Sequence, residues 1–305
     1  MACSKRSVAA TAFPEICFNL LFMIPHAILQ ELQMPDATCH PVQGGDISRS
    51  CRLYTGHSNY FLKINQHHPC TGLFEKEAAG LRMLADAGVL RVPAPLRYGA
   101  TGTHQYLLLE WLDVRAPAQN SWKLLGSGLA KMHRKPQHFY GLNGNNYLAI
   151  WPQDNTPAET WPEFYSTRRV LPLVRELVDM GNLGKKDLVN ADNFCRRLPD
   201  LFPEEHPALL HGDLWSGNLL FLPDGSPAIF DPAVYYGHRE IDIGMTCLFG
   251  GFDRIFYEAY HQTYPLHPGW QQRIPYAQLY PLLLHAWLFN GHYTGEVKRI
   301  LGSFS

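Results

Sequence analysis

The sequence carries little charge and almost no net charge. Only 17% of its 305 residues are Asp, Glu, Lys or Arg, and 26 basic residues nearly balance 27 acidic ones, which gives a formal net charge of −1. Such a chain has no overall field that would hold it on a nucleic acid or an anionic membrane surface. We therefore expect neither nucleic acids nor membranes among its partners.

Paired cysteine motifs are also lacking. The seven cysteines are odd in number and widely scattered, and none of them forms a C-x-x-C pair. This spacing argues against a disulfide framework and against a zinc finger. A reduced, cytoplasmic setting fits the cysteine pattern best.

Long hydrophobic runs, solenoid-type repeats and low-complexity tracts are missing as well. Two basic residues precede an apolar stretch that resembles a signal peptide, but Pro14 and Glu15 interrupt it early. The uncharged run 16–30 is shorter than the roughly 20 residues that span a bilayer. We interpret residues 1–35 as an N-terminal extension, disordered or the product of an over-long gene model, with a short helix beginning near Met23.

What the sequence does contain is a change of pattern along the chain. Residues 40–112 are rich in predicted strands and are interrupted by one helix, whereas amphipathic helices dominate after residue 120 until a short hairpin near residue 220. With 46% apolar residues, the chain can bury a sizeable core. We predict an α+β fold with a small β-rich N-lobe at 36–112 and a larger, mainly helical C-lobe at 113–305.

Two predicted strands and a helix define the N-lobe pattern. Residues 60–64 and 106–110 have the composition of strands, and residues 92–95 that of an extended connection between the helix and the second strand. Residues 111–118 then connect the lobes. The helix covers residues 74–84, where apolar side chains recur at helical spacing.

That helix has a carboxylate on its apolar face. Glu77 shares the face with Phe74, Ala78, Leu81 and Leu84. A carboxylate in this position is costly unless a cation meets it. The nearest upstream candidate is Lys63, on the strand that would pack against the helix. In the alternative, Glu77 lies at the edge of the apolar face and reaches water, and the sequence leaves both possibilities open.

The most specific signal is the segment 209–221, LLHGDLWSGNLLF. Asp213 is followed five positions later by Asn218, and a turn signal at 223–226 with a returning strand at 228–230 brings Asp231 back beside Asn218. Phosphoryl transfer needs one carboxylate that orients and deprotonates the attacking hydroxyl, and oxygen ligands that hold Mg²⁺ on the phosphates. Asp213 suits the first task, whereas Asn218 and Asp231 suit the second.

The order of these residues is that of protein kinases. Kinases use H-x-D-x-x-x-x-N followed by a metal-binding Asp, with a Lys and a helical Glu upstream. Upstream of Lys63, Gly44 and Gly45 supply a turn whose backbone would approach phosphate oxygens, although a glycine doublet is also common in hairpins. The combined order predicts a protein-kinase-like fold that binds ATP and Mg²⁺.

Two longer segments make a family resemblance specific. Residues 211–218 are HGDLWSGN and residues 230–242 are FDPAVYYGHREID. These segments resemble the fructosamine kinase or ketosamine-3-kinase family, which is related to aminoglycoside phosphotransferases and choline kinases. The Trp after Asp-Leu, and Asp-Pro-Ala in place of Asp-Phe-Gly, separate this family from those relatives. Many members have a Cys where Asp46 stands here, so redox regulation through that position is not implied.

The resemblance implies an activity and assigns roles by position. The activity is ATP-dependent phosphorylation of the sugar 3-hydroxyl of a small-molecule or protein-linked ketosamine, which destabilises the adduct and frees the amine. Asp213 would be the base, and Asn218 and Asp231 the Mg²⁺ ligands. Lys63 would contact the α- and β-phosphates, with Glu77 as its partner.

The remaining assignments concern the nucleotide base, the substrate and the support of the loop. Adenine would bind to the backbone of Glu110, Trp111 and Leu112. Trp215 would pack against the substrate, with a buried aromatic under the loop as the alternative. Asp242 and His211 would support the catalytic loop.

Two other functions stay open at this point. One is a different kinase of the same fold, acting on an aminoglycoside or choline, and the Trp215 and Asp-Pro-Ala signature argues against it. The other is a non-catalytic nucleotide-binding scaffold, which gains little support because all the expected catalytic residues are present. The sequence does not indicate the preferred sugar, the kind of amine or the oligomeric state.

Overall fold

A computed structural model of the chain describes residues 24–42, 48–67 and 70–305. The strands, numbered in chain order, are β1 (Thr38–Pro41), β2 (Arg49–Tyr54), β3 (Asn59–Gln66), β4 (Pro95–Thr101), β5 (His104–Glu110), β6 (Asn146–Leu148), β7 (Trp151–Gln153), β8 (Ala208–Leu210), β9 (Leu219–Phe221), β10 (Pro227–Ile229) and β11 (Tyr235–Gly237). The helices are α1 (His26–Glu31), α2 (Leu73–Asp86), α3 (Gln119–His133), α4 (Trp161–Tyr165), α5 (Leu171–Asp179), α6 (Lys185–Leu201), α7 (Glu240–Thr246), α8 (Arg254–Thr263), α9 (Trp270–Ala277), α10 (Leu279–Phe289) and α11 (His292–Gly302).

The first five strands form one antiparallel sheet in the order β1-β2-β3-β5-β4. Side chains of β5 alternate between its two faces, as strand geometry requires. Leu107 and Leu109 pack with α2 on one face, whereas Tyr106 and Leu108 pack with α1 on the other. Because both faces are covered, the middle of β5, residues 106–109, is apolar.

The short helix α1 is part of this packing. Ile28 is fully buried against the sheet, and the hydroxyl of Tyr106 donates a hydrogen bond to Glu31 at 2.8 Å. The predicted extension 1–35 therefore contributes a helix to the folded unit. Residues 1–23 of that prediction lie outside the described residues.

The N-lobe strands and helix that the sequence predicted are present, but strands β1, β2 and β4 were not predicted. The strands predicted at 60–64 and 106–110 are β3 and β5, and the helix predicted at 74–84 is α2. Strand β4 was not predicted, because it is an edge strand with largely exposed side chains, among them Leu96 and Tyr98, and it lacks an apolar alternation. The lobe limits at 36–112 and 113–305 remain a proposal.

After the coil at 111–118, the chain is mainly helical. Helices α4, α5, α6, α10 and α11 share one apolar core, and α3 packs along α8. The predicted hairpin is β9 and β10, with Leu219 opposite Ile229. Across the three described ranges, no helix combines the length and the apolar character needed to cross a membrane.

Candidate active site

A cleft of about 430 Å³ collects the predicted residues. Among the described residues that line it are Lys63, Glu77, Glu110, Trp111, Leu112, Asp213, Trp215, Asn218 and Asp231. His211 and Asp242 lie behind the loop that carries Asp213. Gly44 and Gly45 lie outside the described residues, so their role stays a prediction.

Lys63 joins two carboxylates at the centre of the cleft. Its Nζ donates to both carboxylate oxygens of Glu77 at 2.8 Å and to Oδ1 of Asp231 at 2.7 Å. Glu77 is only 9% exposed, so the alternative in which it reaches water does not hold. Burial would lower the pKa of Lys63, but the two carboxylates outweigh that effect and raise it, so the ammonium stays charged.

The hairpin of β9 and β10 brings Asp231 beside Asn218. The backbone N–H of Phe230 donates to the carbonyl oxygen of Asn218 at 3.2 Å. Asp231 then has a φ of 59°, in the left-handed region that non-glycine residues seldom adopt. The chain turns sharply here, and the Asp231 carboxylate reaches Lys63.

Asn218 also holds Asp213. Its Nδ2 donates to the backbone oxygen and to Oδ2 of Asp213, both at 2.9 Å. Burial raises the pKa of Asp213 to about 7, and the charge of Asp231 adds to this effect, whereas the hydrogen bond from Asn218 opposes it. A carboxylate with this pKa is suited to accepting a proton near neutral pH.

Asp242 braces the loop from behind. It accepts hydrogen bonds from the backbone N–H groups of His211 at 2.8 Å and Gly212 at 3.0 Å, and from Nε2 of His133 at 3.1 Å. Burial alone would raise the pKa of Asp242, but these hydrogen bonds hold it below its usual range. A buried, ionised carboxylate thus fixes the backbone just before Asp213.

His211 fixes the same loop through one neutral tautomer. Its Nε2 donates to the carbonyl oxygen of Phe230 at 3.0 Å, and its Nδ1 accepts from the backbone N–H of Asp213 at 3.3 Å. Burial lowers the pKa of His211, which favours the neutral ring. The imidazole therefore ties the Asp213 loop to the strand that leads into Asp231.

At the other end of the cleft, β5 runs into the coil between the lobes. The side chain of Glu110 is engaged by Arg91 and by the backbone N–H of Ala94. Trp111 donates from Nε1 to Asp113 at 2.9 Å. The side chains of Glu110 and Trp111 thus have partners of their own, which leaves backbone groups as the part of this segment suited to binding a ligand.

The donor set fits a magnesium ion. Asn218 uses its Nδ2 toward Asp213, and Asp231 uses its Oδ1 toward Lys63. Oδ1 of Asn218 and Oδ2 of Asp231 are therefore the oxygens suited to a metal. In the described part of the chain, no group of three or more His, Cys, Asp or Glu side chains is placed to hold a metal. A cation here would take further oxygens from phosphates or water, as Mg²⁺ usually does.

One wall of the cleft contains Trp215, which was predicted to pack against the substrate, and other residues that were not predicted. Trp215 is half-buried, and its ring packs edge-on against Phe249 at 5.5 Å, which in turn contacts His285 at 5.1 Å. We call Trp215, Phe249, His285 and Phe289 the aromatic wall. The cleft is also lined by Leu148, Ala149, Leu284 and Leu288. No motif marks these residues, because α10 is apolar on nearly all sides and its periodicity does not distinguish a cleft-facing side.

The comparisons with known proteins agree with this geometry. The family model for fructosamine kinase matches residues 24–304. The chain is 39% identical over 290 residues to a probable ketoamine kinase of Lactiplantibacillus plantarum, covering 92% of this chain and 96% of the relative. It is 33% identical over 269 residues to the chloroplastic protein-ribulosamine 3-kinase of Arabidopsis thaliana, covering 86% of this chain and 81% of the relative.

A solved structure shows the same architecture. The crystal structure of a putative fructosamine-3-kinase from Haemophilus somnus superposes with a TM-score of 0.80 at 25% identity, covering 91% of this chain and 95% of that one. The predicted protein-kinase-like fold is therefore confirmed. Together with the family match and the relatives, this shows that the chain belongs to the fructosamine kinase family, as the resemblance indicated.

Proposed function

We propose that this protein transfers the γ-phosphoryl group of ATP to the sugar 3-hydroxyl of a ketosamine. The observation that carries the proposal is the convergence of Asp213, Asn218, Asp231 and the Lys63–Glu77 pair in one cleft. The relatives named ketoamine kinase and protein-ribulosamine 3-kinase support the choice of acceptor. Phosphorylation at this position would destabilise the adduct and release the amine.

The nucleotide would extend along the cleft from the backbone of residues 110–112 to Lys63. The backbone of residues 110–112 would take the adenine, since the side chains there are engaged elsewhere. Lys63 would contact the α- and β-phosphate oxygens, and Glu77 holds its ammonium group in place. This arrangement positions the phosphates at the Asp213 end of the cleft.

Asn218 and Asp231 would hold Mg²⁺ through their available oxygens. When bound, the metal supplies positive charge that neutralises the phosphates during transfer. The chain itself holds Asp231 through Lys63 and Asn218 through Asp213. Both ligands are therefore in place before a nucleotide arrives.

Asp213 would accept the proton of the attacking hydroxyl. Asn218 anchors Oδ2, which leaves Oδ1 to face the acceptor. With a pKa of about 7, the carboxylate is strong enough to take the proton yet is ionised above neutral pH. Most of the remaining rate enhancement would come from positioning and charge stabilisation.

The lining of the cleft favours a ketosamine over an aminoglycoside. Among the described lining residues the only carboxylates are Glu77, Glu110, Asp213 and Asp231, and each has a partner or a role already. A polycationic acceptor would need further acidic groups. The aromatic wall instead offers apolar faces, on which Trp215 would pack against the sugar or the carbon chain of the amine.

The test is phosphate transfer with Mg²⁺ and ATP to a ribulosamine and a fructosamine of one simple amine, with choline and an aminoglycoside as comparators. Asp213→Asn should reduce turnover by about 10²- to 10⁴-fold, the usual contribution of a general base. Asp224→Asn is a matched control, because Asp224 is an exposed carboxylate in the turn between β9 and β10.

Each outcome separates the candidates. Selective, Asp213-dependent turnover of a ketosamine supports the proposal and ranks the two sugars. Turnover of choline or the aminoglycoside alone would replace the substrate while keeping the fold. Nucleotide binding without transfer to any acceptor would favour the scaffold, and full activity of Asp213→Asn would refute the assignment of the base.

A further inference from the structure

Four buried polar side chains form a cluster below the cleft that the proposed mechanism does not use. Asn146 and Gln153 face each other across β6 and β7, and Asn155 and Arg169 adjoin them. Gln153, Asn155 and Arg169 are fully buried, and Asn146 is 7% exposed. We call these four residues the amide cluster. Buried polar groups are costly unless they are hydrogen-bonded. The hydrogen bonds of the amide cluster therefore indicate which part of the chain it stabilises.

Contacts within the amide cluster fix the orientation of Asn146. Its Oδ1 accepts from Nε2 of Gln153 at 3.0 Å and from Nδ2 of Asn155 at 2.7 Å. Arg169 donates to the side-chain oxygen of Asn155, and the hydroxyl of Tyr280 donates to Oε1 of Gln153 at 3.0 Å. The guanidinium of Arg169 also lies near the rings of Phe164, Tyr235 and Tyr280. With Oδ1 occupied twice inside the cluster, Nδ2 of Asn146 points outward.

The outward contacts end on the segment that follows Asp231. Nδ2 of Asn146 donates to the carbonyl oxygen of Val234 at 2.8 Å, and Nε2 of Gln153 lies 3.4 Å from the carbonyl oxygen of Ala233. Both carbonyls come within three residues of Asp231 in the chain. The amide cluster therefore holds the backbone immediately after a proposed metal ligand.

Helix α2 contacts the same segment. A Cβ atom on Gly80 would lie 3.2 Å from a methyl group of Val234 and 3.4 Å from the ring of Pro232. Residues 232–234 thus contact both α2, which carries Glu77, and the amide cluster. Any loosening on the Asn146 side would let this segment move relative to α2.

Asp231 depends on this restraint. With a φ of 59°, it holds a conformation that persists only where the surroundings enforce it. We propose that Asn146 is a positioning residue for Asp231: its bond to Val234 fixes the backbone that aims the carboxylate at Lys63 and at the metal position. The inference rests on the proposed function, which assigns Asp231 to Mg²⁺.

The experiment measures binding of a non-hydrolysable ATP analogue as a function of Mg²⁺ concentration, by calorimetry and without an acceptor. Asn146→Ala should raise the Mg²⁺ concentration at half-saturation by about tenfold or more, as expected for a residue that supports a metal ligand. Binding of the analogue in EDTA should stay unchanged. Asn143→Ala, an exposed asparagine in the loop before β6, should match the wild type in both measurements.

A second background separates positioning from general destabilisation. In Asp231→Asn, adding Asn146→Ala should change the Mg²⁺ requirement by less than about twofold, because the residue through which Asn146 acts is already impaired. Asn146→Asp covers the case in which the alanine variant does not fold. It keeps an oxygen for Gln153 and Asn155 but loses the donor to Val234, so the same rise in Mg²⁺ requirement is expected.

A failure of the proposed function and a failure of the role of Asn146 give different results. If the wild type shows no Mg²⁺-dependent nucleotide binding, the proposed function is wrong and this inference falls with it. If the wild type binds and the folded Asn146 variants have the same Mg²⁺ requirement, only this inference is overturned. The inference is also overturned if Asn146→Ala weakens binding of the analogue in EDTA, or if it raises the Mg²⁺ requirement as much in the Asp231→Asn protein as in the wild type. Either result would indicate a general structural role for Asn146.

Discussion

Replacing the proposed base should make the protein more stable while removing its activity. Asp213 sits half-buried in the loop between β8 and β9, near the carboxylates of Asp231 and Asp242, so its charge is poorly solvated and repelled by its neighbours. Lys63 compensates only in part, since its hydrogen bonds go to Glu77 and Asp231. In Asp213→Asn the charge is gone, whereas the amide oxygen still accepts from Asn218.

The magnitude follows from the pKa of Asp213. It rises from 3.8 to about 7 on folding, and at about 1.36 kcal/mol per pKa unit this corresponds to an upper limit of about 4 kcal/mol. Water screens a half-buried carboxylate, so we expect about 2 kcal/mol. Because the folded-state pKa is raised, the folded chain binds the extra proton. The destabilisation is therefore complete above about pH 7 and disappears as the pH falls toward 4.

Thermal unfolding of wild type, Asp213→Asn and Asp224→Asn between pH 5 and pH 8 tests this reasoning. At pH 8, Asp213→Asn should unfold about 3 °C above the wild type, and the gap should shrink toward pH 5. Hydrogen bonds from Ser226 lower the pKa of Asp224, so any difference between Asp224→Asn and the wild type should stay constant from pH 5 to pH 8. A gap that is absent at pH 8, or that widens as the pH falls, would show that Asp213 is not an unfavourable buried charge.

Two further substitutions test the support of the loop. Gly212 has a φ of 82°, and a Cβ atom there would lie 2.2 Å from a carbonyl oxygen, so Gly212→Ala should lower the free energy of unfolding by more than about 2 kcal/mol in a denaturant titration. Gly225→Ala has a similar φ of 88°, but its Cβ atom would make only an ordinary contact of 3.5 Å with the hydroxyl of Ser121. It should lower the free energy of unfolding by only about 1 kcal/mol, and equal losses in the two variants would contradict the role of the close approach. Asp242→Asn should lower the free energy of unfolding by about 3 kcal/mol in the same titration, because one loop N–H or the ring of His133 loses its buried acceptor. An unchanged midpoint of unfolding would contradict the bracing role of Asp242.

The centre of the site could be predicted because its geometry is local. Four residues of loop separate Asp213 from Asn218, and a hairpin of fixed register returns the chain to Asp231. These distances are set by turn and strand geometry, so residue order alone places the three side chains together. The Lys63–Glu77 contact could be predicted as one of two possibilities for a different reason, because a buried carboxylate requires a cation.

The rest of the site depends on contacts between distant segments. The aromatic wall joins Trp215 to Phe249 and to α10, which are separated by long stretches of chain. Asn146 meets Val234 from 88 residues away. Apolar and amide residues at such positions have the same local pattern whether they fill a core, line a cleft or hold a backbone, so only the folded arrangement distinguishes these roles.

The charge arrangement in the cleft links these contacts to the proposed chemistry. One cation, Lys63, stands among the carboxylates of Glu77, Asp213 and Asp231. Burial raises the pKa of Asp213 and the charge of Asp231 adds to the rise, whereas Lys63, which binds Glu77 and Asp231 directly, opposes it only in part. A divalent cation held by Asn218 and Asp231 would offset the excess negative charge, and it would also lower the pKa of Asp213. Mg²⁺ with nucleotide should therefore diminish the stability difference between wild type and Asp213→Asn, because the destabilising charge is then compensated.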